Sequence, residues 1–185
     1  MSNDWFNRIE AYLWPNGFKR DVWMVVDAAR DKQISALLCN YFFFEPTCLF
    51  SGKLTPELEE AAPYLIQLTY DDQKTRQFIH HAWGNSWASF LRCNVGLDPL
   101  LAHLRGRLVA RDEMGNHMIF RYYDPRVLRV HLPACTEGEL QVFFGPVDCF
   151  LMEADTPDTL LEFSLDKKKL VVTKRLLDQP DEAAG

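Results

Sequence analysis

The sequence predicts an α/β fold of mixed α+β character: a layered α/β lobe over residues 1–97, a smaller β-rich lobe over residues 98–177, and a flexible tail, residues 178–185. Three observations lead there. The run VWMVV at residues 22–26 is apolar and largely β-branched, the pattern of a strand buried on both faces. Strand and helix patterns alternate through the first lobe, whereas past residue 97 short strand-like runs broken at glycines take over. With 185 residues at 48% hydrophobic composition, the chain can bury a substantial core.

The opening DWFNRIEAYLW sets Trp5, Ile9 and Leu13, with Phe6 and Tyr12, at helical spacing, and Asn3 or Asp4 is available as N-cap. After the breaker PNG and the buried strand, Asp31 can cap a helix running to about Asn40. TCLFSG and YLIQL read as strands flanking a connection that contains Pro56 and Pro63, and a helix follows from Asp71 to about Ala82. WGNSWASFLRC reads as a turn at Gly84 and Asn85, then a strand. Asp98 and Pro99 fit the N-cap and first position of the helix DPLLAHLRG.

RLVARDEMGNHMIFRYY is two strand-like runs about a loop with Gly115 and Asn116. Alternation sets Met118, Phe120 and Tyr122 on one face and Ile119, Arg121 and Tyr123 on the other. Asp124 and Pro125 are then N-cap and first residue of a helix that ends at Pro133, and losing that cap costs about 1 kcal/mol. LQVFFGPVDCFLME, broken at Gly145 and Pro146, and LLEFSLDKKKLVVTKRL supply further short strands. The tail is too short and polar to order itself.

A formal net charge of −6 argues against nucleic-acid binding as the main task, since phosphate contacts supply most of that affinity. The charge is uneven, however. Residues 105–129 hold six arginines (Arg105, Arg107, Arg111, Arg121, Arg126, Arg129) against three acids (Asp112, Glu113, Asp124), a net +3. An acidic partner surface can dock there, and a nucleic-acid-binding module is the weaker alternative. Arginines already paired elsewhere in the fold are a third possibility. No apolar run approaches the ~20 residues of a membrane span. The first residues lack the pattern of a signal peptide, which predicts a cytoplasmic protein. The five cysteines (Cys39, Cys48, Cys93, Cys135, Cys149) include no C-x-x-C pair, so neither a disulfide framework nor a zinc site is signalled.

Enzyme patterns are faint. GNSWA resembles the G-x-S-x-G elbow, and Ser86, Asp124 and His131 follow in the order of a serine hydrolase, but Ala88 replaces the last glycine and Asp124 has a capping task. His80 and His81, adjacent on a helix, point about 100° apart and do not converge on one metal. Asp27, after the buried strand, is a candidate ligand carboxylate at a strand end. Neither G-x-x-x-x-G-K-[ST] nor H-E-x-x-H is present.

The order HLRGRLVARDEMGNHMIFRYYDPRVLRVHLP, followed by VFFGPV, resembles the signature of the adaptor or chaperone family of bacterial type VI secretion systems. VVDAAR, AAPYLIQL and WGNSWASFLRC are similar to that family's earlier segments, so the likeness covers roughly residues 22–147, with Cys93 standing where a small polar residue such as Ser is expected. The resemblance implies a non-enzymatic protein that binds a cognate effector toxin in the cytoplasm and helps load it onto the valine-glycine repeat spike protein. No nucleotide, metal or other cofactor is implied. Aromatic and arginine side chains dominate protein contacts, which makes Arg121, Tyr122, Tyr123, Arg126, Arg129, Phe143 and Phe144 the expected partner-binding set, with Asp124 and Pro125 structural. An alternating aromatic strand also supplies core, so one face of residues 120–123 is expected to pack inward.

Overall fold

The apolar run at residues 22–26 becomes the centre of the molecule because both of its faces are covered. In the computed structural model, which describes residues 4–15, 21–42, 46–111 and 114–178, β1 (Asp21–Asp27) pairs with β3 (Pro63–Gln67) on one side and β4 (Ala88–Cys93) on the other. Beyond β3 lies β2 (Thr47–Cys48); beyond β4 lie β7 (Val147–Glu153), β8 (Thr159–Asp166) and β9 (Lys169–Leu176). Among the described residues this makes a seven-stranded sheet in the order β2-β3-β1-β4-β7-β8-β9, with every neighbouring pair antiparallel. The ladder between β4 and β7 joins strands from the two sides of residue 97 in one sheet.

Helices cover both faces, which is why an antiparallel sheet carries such continuous apolar strands. Val22, Met24 and Val26 pack with side chains of α1 (Asp4–Leu13), α2 (Gln33–Tyr41) and α4 (Gln73–Ala82). Trp23 and Val25, on the opposite face by the period of the strand, pack with α5 (Leu97–Arg105), α6 (Pro125–Ala134) and α7 (Glu137–Phe144). The mixed α+β class expected from the sequence is the one observed.

Local chemistry sets most of the element ends. Asp72 caps α4 by accepting a hydrogen bond from Thr75 N–H (2.7 Å), and Thr55 caps the short α3 (Pro56–Glu60), which the proline-rich connection conceals. Asp31 accepts from Gln33 N–H (2.9 Å) at the start of α2. Asp124 caps α6 with Pro125 in the first turn, as expected.

Four expectations need correcting. Helix α5 is capped by Gly96, so Asp98 sits in its first turn rather than at its N-cap. The run LQVFF is helical, not a strand: Thr136 and Glu139 form a capping box, and Leu140, Phe143 and Phe144 are buried at helical spacing. The strand expected in TCLFSG is only the two residues of β2. Finally, the alternation assigned to HMIFRYY stops with β6 (His117–Ile119), which forms a separate hairpin with β5 (Val109–Arg111). Beyond it the chain turns, Asp124 N–H bonding to the Arg121 carbonyl, and Tyr122 and Tyr123 enter the same core. The PNG breaker at residues 16 and 17, the Asn3 cap, the end of the YFFF run at residues 43 and 44, and the tail from residue 179 fall outside the described residues.

The end of α7 depends on a missing side chain. Gly145 has φ of +49°, and a Cβ there would lie 2.3 Å from Cε1 of His103, whose Nε2 in turn sits 2.8 Å from the Phe143 carbonyl. Gly145→Ala is therefore expected to lower stability by about 2–3 kcal/mol. In a His103→Ala background the same change should cost about 1 kcal/mol, the backbone part alone. Urea unfolding of the four proteins checks this, and equal costs in both backgrounds would contradict the packing.

Candidate functional site

Asp27 ends β1 with its carboxylate entirely buried (0% exposed). One oxygen accepts from Ala29 N–H (3.2 Å) and the other from the Arg121 guanidinium. Arg121 also approaches Asp124 (3.7 Å), and Asp124 accepts from Arg126 three times, through the backbone N–H (3.0 Å), Nε (3.0 Å) and Nη2 (2.7 Å). Acid and base thus alternate through Asp27, Arg121, Asp124 and Arg126, tying the interior strand β1 to the start of α6. Burial of Asp124 would raise its carboxyl, but the Arg126 hydrogen bonds and charge outweigh that and hold it below the ordinary range. Hydrogen bonding to Asp27 raises Arg121, and bonding to Asp124 raises Arg126. Burial, then the Asp27 charge, pushes the Tyr123 hydroxyl up to about 12.

The aromatic members of the expected partner-binding set face inward. Tyr122, Tyr123, Phe143 and Phe144 are all buried in the core beneath α6 and α7, and the Tyr122 hydroxyl donates to the Leu104 carbonyl (3.0 Å). Packing explains the correction: these rings pack against one another and on Phe150, mostly edge-on, and are left at most 6% exposed. Arg129 donates to the Ala154 carbonyl (3.2 Å) and pairs with Asp155. Arg105 holds the carbonyls of Cys48 (2.9 Å) and Leu49 (3.2 Å), and Arg107 that of Val142 (2.6 Å). The arginine-rich segment is mostly engaged within its own fold; the Arg111 side chain lies outside the described residues.

The residues of the hydrolase pattern have separate partners. Ser86, itself at φ +54°, donates from its hydroxyl (2.7 Å) and its N–H (2.5 Å) to Glu153, which also accepts from Gly84 N–H. His131 lies against Phe120, Phe143 and the Cys135 thiol (3.3 Å), and Asp124 is taken by arginines. Among the other candidates, the His80 ring stacks on Phe6 and meets Trp5 edge-on, and burial lowers its imidazole. His81 faces the Tyr41 hydroxyl (3.3 Å). Cys93 is buried with its thiol toward the Val95 carbonyl (3.4 Å).

Sequence reasoning missed two buried polar centres. Arg92, inside the apolar β4, donates to the Tyr12 carbonyl (2.7 Å) and pairs with Glu162 of β8, while Glu153 anchors the turn at Gly84 and Ser86. A charge within ASFLRC was the only available signal.

This network, the buried rings and the arginine-to-carbonyl bonds lie mostly within one stretch of chain. A family model described as "Domain of unknown function (DUF4123)" matches residues 22–142. The chain belongs to the DUF4123 family. No curated protein and no solved structure matches the chain. Among the described residues no helix is long and apolar enough to cross a membrane.

Two surfaces beside this scaffold carry exposed apolar side chains. Within the DUF4123 span, the β5–β6 hairpin presents Val109, Met118 and Ile119, with Met114 85% exposed at its loop. A groove of about 330 Å³ runs between α6 (Arg126, Arg129, Val130, Pro133), which lies within the DUF4123 match, and Asp155 with the β8–β9 pair (Leu161, Phe163, Val172, Lys174), which lie beyond it.

Arg121→Met would leave the Asp27 carboxylate buried and unpaired, and is expected to cost about 3 kcal/mol. Arg126→Met leaves the buried Asp124 carboxylate its helix cap and the Arg121 guanidinium 3.7 Å away, and should cost less, about 1–2 kcal/mol. Adding Asp27→Asn to the Arg121 variant should recover part of its loss; equal losses in the two single variants would contradict the network. Asp124, with its carboxyl held low, contributes charge-dependent stability above its ordinary value of 3.8 that is lost as pH falls through the lower folded value. The stability gap between wild type and Asp124→Asn should therefore shrink on acidification from about pH 6 to about pH 2, as read by urea unfolding.

Proposed function

We propose that this DUF4123 protein is a non-enzymatic adaptor-chaperone of a bacterial type VI secretion system. It binds a cognate effector toxin in the cytoplasm and helps load it onto the valine-glycine repeat spike protein. The observation that carries the reading is the exposed apolar hairpin inside the family-matched span. Two strands alone are marginally stable in water, and a ribbon with bare valine, methionine and isoleucine gains most by docking on another protein. Methionine suits such a surface because its flexible, polarisable side chain adapts to irregular partners.

Two observations support binding without catalysis: the Ser86 hydroxyl is spent on Glu153, and both Asp124 oxygens are spent on Arg126. A nucleic-acid reading is less favoured, because five arginines of the basic segment already hold carbonyls or carboxylates.

Co-expression with the toxin encoded beside its gene is expected to raise that toxin's soluble yield and give a co-purifying complex. Paired Met118→Asp and Ile119→Asp changes should leave the melting temperature nearly unchanged and weaken the complex by at least about tenfold. Absence of both effects with the correct neighbour would overturn the adaptor reading.

A further inference from the structure

The outer side of β9 has no strand against it among the described residues, although β9 runs eight residues. It joins β8 through Lys167 and Lys168, both at positive φ (47° and 74°), the two-residue geometry that closes a type I′ hairpin. That turn sets the phase of the ladder. Asp166 and Lys169 close it as a hydrogen-bonded pair, and by alternation Val171, Thr173 and Arg175 direct their N–H and C=O groups at β8. The bond from Leu177 N–H to the Asp158 carbonyl (2.7 Å) continues the same phase. Leu170, Val172, Lys174 and Leu176 therefore turn their backbone groups outward.

Cross-strand pairing places the side chains of these same residues on the face of Leu161, Phe163 and Leu165, beside α6. There Val172, Leu176 and Val130 are exposed, Val130 by 70%; Val172 and Val130 line the groove, which also carries Lys174, Arg126 and the Arg129–Asp155 pair. Charge is distinctive at this edge. Lys167, Lys168, Lys169 and Lys174 are exposed and form no ion pair among the described residues, on a chain whose net charge is −6.

We propose that β9 is a docking edge for an extended, acidic segment of a partner protein, which adds one strand to the sheet and lays its side chains in the groove beside α6. Main-chain pairing gives such a contact its affinity, and alternate side chains give it selectivity. A second copy of this chain is disfavoured as the occupant, because lysine edges meeting each other repel. Acidic side chains turn the same lysines into attraction. The proposal stands without the adaptor reading, and β9 lies wholly beyond the residues that the family model matches.

A fluorescein-labelled peptide of about ten residues alternating Val and Glu serves as probe, with the Val and Lys counterpart as control. Saturable binding of the Glu peptide alone is expected, with amide shifts in NMR spectra at Leu170, Val172, Lys174 and Leu176. Val172→Pro removes an outward N–H and spares the ladder to β8, so it should fold normally and bind at least about tenfold more weakly. Lys174→Glu should weaken binding similarly without touching the backbone, which keeps the test decisive if the proline variant fails to fold. Failure of the Glu peptide to bind saturably, or equal binding by wild type and Lys174→Glu, overturns the proposal while leaving the co-purification result to judge the adaptor reading.

Discussion

A carboxylate at zero exposure is tolerable only with a partner, and for Asp27 that partner is Arg121. This single pair links the interior strand β1 to the segment that begins α6, far along the chain. Its geometry constrains the backbone on either side of Arg121. To reach Asp27, the chain must leave the β6 hairpin and turn at Arg121; the same turn drives Tyr122 and Tyr123 into the core and presents Asp124 as the α6 cap. Ser89 of β4 holds the Tyr123 carbonyl (3.0 Å) from below, so the turn is fixed from two strands at once.

That arrangement changes the meaning of the arginine and aromatic block. Its residue types are those of a binding surface, yet Arg105, Arg107, Arg121, Arg126 and Arg129 each hold a carbonyl or carboxylate within the fold. His103 and Arg107 serve the end of α7, Arg105 serves the segment at Cys48 and Leu49, and Arg129 serves the loop after β7. A rigid scaffold of this kind holds a hairpin and a sheet edge out to solvent, where their apolar side chains and open backbone groups are available.

Local signals were legible in the sequence. The Asp124-Pro125 start of α6, the buried β1 and the Gly84 turn follow from caps, periodicity and breakers that act over a few residues. The helix at LQVFF carried its signal too, the Thr136 and Glu139 capping box, but the aromatic run beside it reads equally well as strand. Long-range pairs were not legible. Nothing near Arg92 names Glu162, nothing near Ser86 names Glu153, and the inward packing of Tyr122 together with Tyr123 depends on a turn fixed by Asp27. Residue type marked those rings as contact surface and alternation sent one face of residues 120–123 inward; packing places both Tyr122 and Tyr123 in the core.

If the signature is frame and the partner lies beside it, amide hydrogen exchange should separate the two regions, comparing the free protein with the toxin complex that the adaptor proposal expects. New protection is expected in the β5–β6 hairpin, with little change across residues 121–128, where the amides of Asp124, Arg126, Val127 and Leu128 are already bonded within the fold. New protection confined to residues 121–128, with the hairpin exchanging as in the free protein, would contradict this division of tasks.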